Sequence, residues 1–126
     1  MHHFTRPIIH GKHLGRTLGY PTANMYLESK SGIPSWVYAV VGSLDDRTLR
    51  GVGVYFPETS TFEAHFFDFH DDIYGRELSI EILYKIRENR KFDSLDALKI
   101  QIEKDILYVH QKWQSEKFMS NRSKRK

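Results

Sequence analysis

Thr61-Phe62-Glu63-Ala64-His65-Phe66-Phe67-Asp68-Phe69 alternates with a period of two. Such spacing places Glu63, His65, Phe67 and Phe69 on one face of a strand and Phe62, Ala64, Phe66 and Asp68 on the other. Working outward, 36–42, 49–55 and 78–86 are equally rich in β-branched and aromatic residues and also read as strands. Turn signals separate them: Asp45-Asp46, Pro57-Glu58 and the stretch 70–75. Short strands at this spacing predict an antiparallel sheet closed into a small barrel. Beyond them the period changes. Leu95, Leu98, Ile102, Ile106, Val109 and Trp113 recur at steps of three and four, the apolar core stripe of one long helix, with Asp93 or Ser94 to cap it and Asp96 in its first turn.

The 126 residues fit one domain, with 40% apolar and 13% aromatic content, enough to build a core. We expect 1–118 to form a barrel with a C-terminal helix and 119–126 to be a basic, disordered tail. The absence of cysteine removes disulfides, thiolate zinc sites and cysteine nucleophiles. No apolar run is long enough for a membrane span or a signal peptide core, so a cytoplasmic, monomeric protein is expected. The net charge of +3 is unevenly distributed. The last ten residues hold Lys117, Arg122, Lys124, Arg125 and Lys126 and no acid, which leaves fourteen basic against sixteen acidic groups in the rest. The body therefore does not present a nucleic-acid-binding surface; only the tail offers charge for RNA, and a solvated terminus is its simpler account.

Three constellations carry chemistry. Gly11, Gly15 and Gly19 punctuate a loop that also holds Lys12 and Arg16, so its backbone N–H groups and cations suit phosphate, although its spacing is not that of a P-loop. Thr22 and Asn24 are two apart and face the same side of an extended segment. A hydroxyl and an amide oxygen are hard ligands suited to Mg²⁺, or else a pair of turn-stabilising side chains. Glu63, among aromatics, is either a partly desolvated carboxylate with a raised pKa, useful as a general base, or an exposed strand residue. His65 and His70 near Asp68, Asp71 and Asp72 match no metal-ligand spacing.

Taken together, Ile8-Ile9-His10-Gly11-Lys12-His13-Leu14-Gly15-Arg16-Thr17-Leu18-Gly19-Tyr20-Pro21-Thr22-Ala23-Asn24 resembles the opening signature of riboflavin kinases. Phe62-Glu63-Ala64-His65-Phe66-Phe67-Asp68-Phe69, Asp72-Ile73-Tyr74-Gly75 and Lys85-Ile86-Arg87-Glu88-Asn89-Arg90-Lys91-Phe92-Asp93-Ser94-Leu95 follow in the family's order. The resemblance implies a six-stranded antiparallel Greek-key barrel with a C-terminal helix. It also implies transfer of the ATP γ-phosphoryl group to the riboflavin 5′-hydroxyl, giving FMN and ADP. By the same resemblance Gly11, Gly15 and Arg16 hold the ATP phosphates, Thr22 and Asn24 bind Mg²⁺, and Glu63 is the catalytic base. Phe66, Asp68 and Ile73 match the nucleotide pocket, and Arg87, Arg90 and Phe92 the flavin side.

The chain departs from that pattern in three places. The connection from Gly51 to Glu63 is short and lacks an Asn-Ile-Gly motif and a Pro-Thr pair; Trp36 and Arg6 stand where glycines are common. These departures frame an alternative, a catalytically weak or inactive flavin- or nucleotide-binding regulatory protein on the same barrel. A flavin carrier that delivers FMN is a third reading. The family's bacterial enzymes often carry an adenylyltransferase domain, so this sequence reads as a stand-alone kinase or an excised domain.

Overall fold

The computed structural model describes residues 2–9, 19–20, 22–67 and 75–124. Two compact units emerge, Met1–Lys91 and Phe92–Lys126. The first is a closed antiparallel barrel of six strands: β1 (His3–Ile9), β2 (Ala23–Tyr26), β3 (Trp36–Leu44), β4 (Arg47–Phe56), β5 (Thr61–Phe66) and β6 (Glu77–Glu88). Their order around the barrel is β1-β2-β5-β4-β3-β6. Consecutive hairpins join β3, β4 and β5, and β6 returns to lie beside β3, which is the Greek-key arrangement.

Alternation decides which side chains fill the interior. Met25, Tyr38, Val40, Tyr55, Phe62, Phe66, Leu78, Ile80 and Ile82 are buried there. Two glycines make room for the rings. A Cβ on Gly53 would stand 2.6 Å from the Phe62 ring, and one on Gly42 would stand 2.7 Å from Phe66 Cζ. The two buried tyrosine hydroxyls are satisfied, Tyr38 donating to the Pro34 carbonyl and Tyr55 to the Leu27 carbonyl, each at 2.7 Å. Asp45, at φ 53°, adopts the left-handed conformation that a two-residue hairpin needs at its first central position; an Arg76–Asp45 ion pair lies beside it.

The strands expected at 36–42, 49–55 and 78–86 are present and run two or three residues longer than read, while β5 ends at Phe66. The second unit contains α1 (Leu95–Lys124). Ser94 caps it, its hydroxyl accepting from the Ala97 N–H at 3.1 Å. Secondary structure continues without a break across 118/119. Of the expected apolar stripe, Val109 is buried, whereas Leu95, in the first turn, is 54% exposed. Asp105 is buried on the same stripe and accepts from Gln101 Nε2 at 2.9 Å. No helix among the described residues is long and apolar enough to cross a membrane.

Candidate active site

The register of β2, β5 and β4 assembles the candidate residues. Asn24 on β2 lies directly opposite Glu63 on β5, and Glu63 lies opposite Val54 on β4. Their neighbours Met25, Phe62 and Tyr55 point into the barrel, so Asn24 and Glu63 share the outer face. Thr22, one residue before β2, completes the group. Its hydroxyl donates to Glu63 Oε1 at 3.4 Å, and Asn24 Nδ2 donates to the Thr22 hydroxyl and carbonyl oxygens at the same distance. Thus Glu63, remote in sequence, converges with Thr22 and Asn24 on one patch.

Asn24 is unusual on that patch, being only 1% exposed although it faces outward. Its Oδ1 is buried and accepts no hydrogen bond from the described residues. An orphaned buried carbonyl oxygen costs about 1–3 kcal/mol unless something occupies it. With a hydroxyl oxygen beside it, this oxygen offers the neutral hard donors that Mg²⁺ accepts when it keeps most of its waters. The donor set fits that ion.

Glu63 is half-buried. Phe62 turns into the barrel against Phe4 (ring centroids 5.2 Å apart), and on the outer face the carboxylate meets the Thr22 hydroxyl. Phe66 is not brought to the patch. It faces inward, 3% exposed, between Gly42 and Leu78, on the opposite side of β5 from Glu63. Gly11, Gly15, Arg16, Asp68 and Ile73 lie outside the described residues.

Of the residues expected on the flavin side, Arg87 pairs across β6 and β3 with Val37, and Val37 pairs with Val54. Arg87, Val37, Val54, Glu63 and Asn24 therefore form one cross-strand row. Three strand spacings, about 14 Å along the sheet, separate Arg87 from Glu63. Arg90 is exposed just beyond β6, and Phe92 is half-buried in the second unit. Trp36 has the inward parity of Tyr38, packs on the core's edge and lies under Lys85 Nζ, 3.9 Å from the ring centroid. Its bulk is thus turned away from the Glu63 row. The short connection after Gly51 is a regular hairpin: β4 pairs with β5 from Gly51–Phe66 through Phe56–Thr61, and Ser60, at φ 51°, helps close the turn. Arg6 forms an ion pair with Glu28 at 3.3 Å.

One neighbour went unselected from sequence. The Tyr20 ring meets His65 edge to face, with centroids 5.5 Å apart and planes at 86°. The parity shared by Glu63 and His65 was the available signal, but Tyr20 has none in the sequence.

The chain is thus a six-stranded Greek-key barrel that carries a carboxylate beside two hard oxygen donors on its outer face. The chain matches the family model described as "Flavokinase: Riboflavin kinase" over residues 1–113, and it belongs to that family. It is 42% identical over 114 residues to the RNA-binding riboflavin kinase RibR of Bacillus subtilis (strain 168), covering 85% of this chain and 49% of that protein. It is 39% identical over 112 residues to the bifunctional riboflavin kinase/FMN adenylyltransferase of Haemophilus influenzae, covering 79% of this chain and 34% of that protein. The crystal structure of riboflavin kinase from Trypanosoma brucei superposes with a TM-score of 0.68 at 25% identity, covering 89% of this chain and 79% of that one. The chain spans half or less of the length of these two sequence relatives.

Proposed function

We propose that this chain is an ATP-dependent riboflavin kinase acting as a cytoplasmic monomer. It would transfer the γ-phosphoryl group of ATP to the 5′-hydroxyl of riboflavin. The observation that carries the reading is the Thr22–Asn24–Glu63 patch, above all the orphaned Asn24 Oδ1 beside a carboxylate. The riboflavin 5′-oxygen attacks the γ-phosphorus, the bond to the β–γ bridging oxygen breaks, and ADP leaves. Glu63 accepts the proton that the hydroxyl loses. The Thr22 hydroxyl donates to Glu63 and accepts from Asn24 Nδ2, which leaves one lone pair on its oxygen that, with Asn24 Oδ1, would hold Mg²⁺. The ion supplies charge neutralisation of the phosphates, which phosphoryl transfer needs more than covalent help. Arg87 stands on the Glu63 row at a distance that suits a flavin lying across β4 and β3, ribityl chain toward Glu63. Arg90 and Phe92 would complete the flavin side, and Gly11, Gly15, Arg16, Asp68 and Ile73 the nucleotide side. Phe66 contributes by filling the barrel behind β5.

The binding-protein alternative drew on Trp36 and on the shortened connection, and neither disturbs the patch. The test is direct. Incubation with riboflavin, ATP and Mg²⁺ should yield FMN by chromatography, and Asn24→Ala should lower the rate and raise the Mg²⁺ requirement. Flavin binding without turnover would favour the alternative, and undiminished turnover of Asn24→Ala with chelator present would sink the metal assignment.

A further inference from the structure

The paired ladder of β2 and β5 ends at Ala23–Ala64. Thr22 therefore lies one residue past the last cross-strand pair, and its hydroxyl contacts, to Glu63 and Asn24, are both at 3.4 Å. Hydrogen bonds of that length are too loose to hold a ligand oxygen to the roughly 0.5 Å that a functional site requires. A second hold is present on the same face. His65 follows Glu63 by two residues, is half-buried, and pairs with Val52 on its β4 side. On its β2 side it meets the Tyr20 ring edge to face at 5.5 Å. Tyr20 precedes Thr22 by two residues in a Tyr-Pro-Thr sequence, and proline is the stiffest residue type and also restricts its predecessor. A ring fixed at Tyr20 thus leaves few free torsions before the Thr22 hydroxyl.

We propose that His65 is a positioning residue, which through its edge-to-face contact with Tyr20 sets the Thr22 hydroxyl against Glu63 and Asn24. The inference rests on the reading of Thr22 and Asn24 as metal ligands. β5 then serves the site twice, with Glu63 toward the reacting hydroxyl and His65 toward the segment that holds the ion. The contact is one of shape and ring quadrupole.

The test compares His65→Ala, His65→Phe, Tyr20→Ala and the double alanine variant. The first readout is Mn²⁺ binding in the presence of ADP, followed by electron paramagnetic resonance; the second is FMN formation. Each single alanine variant should weaken Mn²⁺ binding by about 2- to 10-fold, the range expected for one aromatic pair. The double variant should lose little more, because both remove the same contact. His65→Phe should restore binding, and riboflavin affinity should stay constant throughout. Melting curves establish that each variant is folded, and should His65→Ala not fold, Tyr20→Ala against His65→Phe makes the same comparison. Unchanged Mn²⁺ binding in the alanine variants overturns the proposal. So does a His65→Phe variant as impaired as His65→Ala, since the imidazole nitrogens would then be what matters, and so does a wild type that binds no Mn²⁺. Wild-type chain that shows the Mn²⁺ pattern but forms no FMN would leave the positioning role standing and sink the kinase reading instead.

Discussion

Glu63 stands where the functional reading is most exposed. A sugar-alcohol hydroxyl is a poor nucleophile, and a positioned base contributes about 10²–10⁴ in rate. Glu63→Gln keeps the size of the side chain and can still accept from Thr22, but its amide takes no proton. Single-turnover FMN formation should fall within that range while riboflavin and nucleotide affinities change much less; equal rates would reduce Glu63 to a structural strand residue. Thr22, Asn24 and Glu63 were legible because spacing and donor type are properties of a sequence. The burial of Asn24 on an outward face was not, since period two marks the face of a strand and not what covers it. Phe66 shows the converse: period two had already set it opposite Glu63, and in the barrel it packs under Gly42. Buried hydroxyls give a second test at this scale. Burial pushes Tyr38 up to about 12 and Tyr55 in the same direction, from the ordinary 10.0. The unfolded chain therefore ionises first: the stabilising contribution is complete below pH 10 and is lost as pH rises through about 12. Denaturant unfolding between pH 9 and 12 should show that fall, and Tyr38→Phe should make it shallower; an identical slope would show that Tyr38 has no part in it.

Among the elements, legibility followed length and regularity. β3, β4 and β6 run for nine to twelve residues rich in β-branched and aromatic side chains and could be read directly. β2 has four residues, too few for a period, and its outward Asn24 is buried. β1 breaks its own pattern, since Arg6 shares the parity of inward Phe4 and Ile8 and reaches instead to Glu28. Glycines inside β3 and β4 read as weak points of a strand, yet the barrel requires them. At Gly53 an alanine would overlap the Phe62 ring, and Phe62 is fully buried against Phe4. Overpacking of this kind costs about 1–3 kcal/mol. Gly53→Ala should lower the melting temperature clearly, and Gly53→Ala with Phe62→Leu should recover part of the loss. Because Val54 and Glu63 face the other way, the folded variant should retain most of its FMN formation at low temperature. A stability cost that Phe62→Leu does not relieve would place the clash elsewhere.

At the scale of the whole chain, charge separates what the fold unites. Residues 1–116 carry two more acids than bases, and five cations crowd the last ten positions. A phosphoryl-transfer site needs cations near its phosphates, but the tail's charge lies beyond the 1–113 stretch that matches the family. It is therefore separable from the chemistry. Removal of 119–126 should leave FMN formation essentially unchanged. Similarity to a relative named for RNA binding makes the other half of the experiment worth measuring. If all five cations neutralised phosphates of a single strand, log Kobs would fall against log salt with a slope near about −3.5, and the truncated chain would lose most of that slope. An acidic body repels the same polyanion, so we expect RNA binding by the full-length chain to be weak and unselective between 50 and 200 mM salt, about the window in which such contacts weaken most. Filter binding with full-length and truncated chains decides it. Tight, sequence-selective binding that survives the upper salt concentration would mean base recognition by the body itself, which the charge argument does not permit.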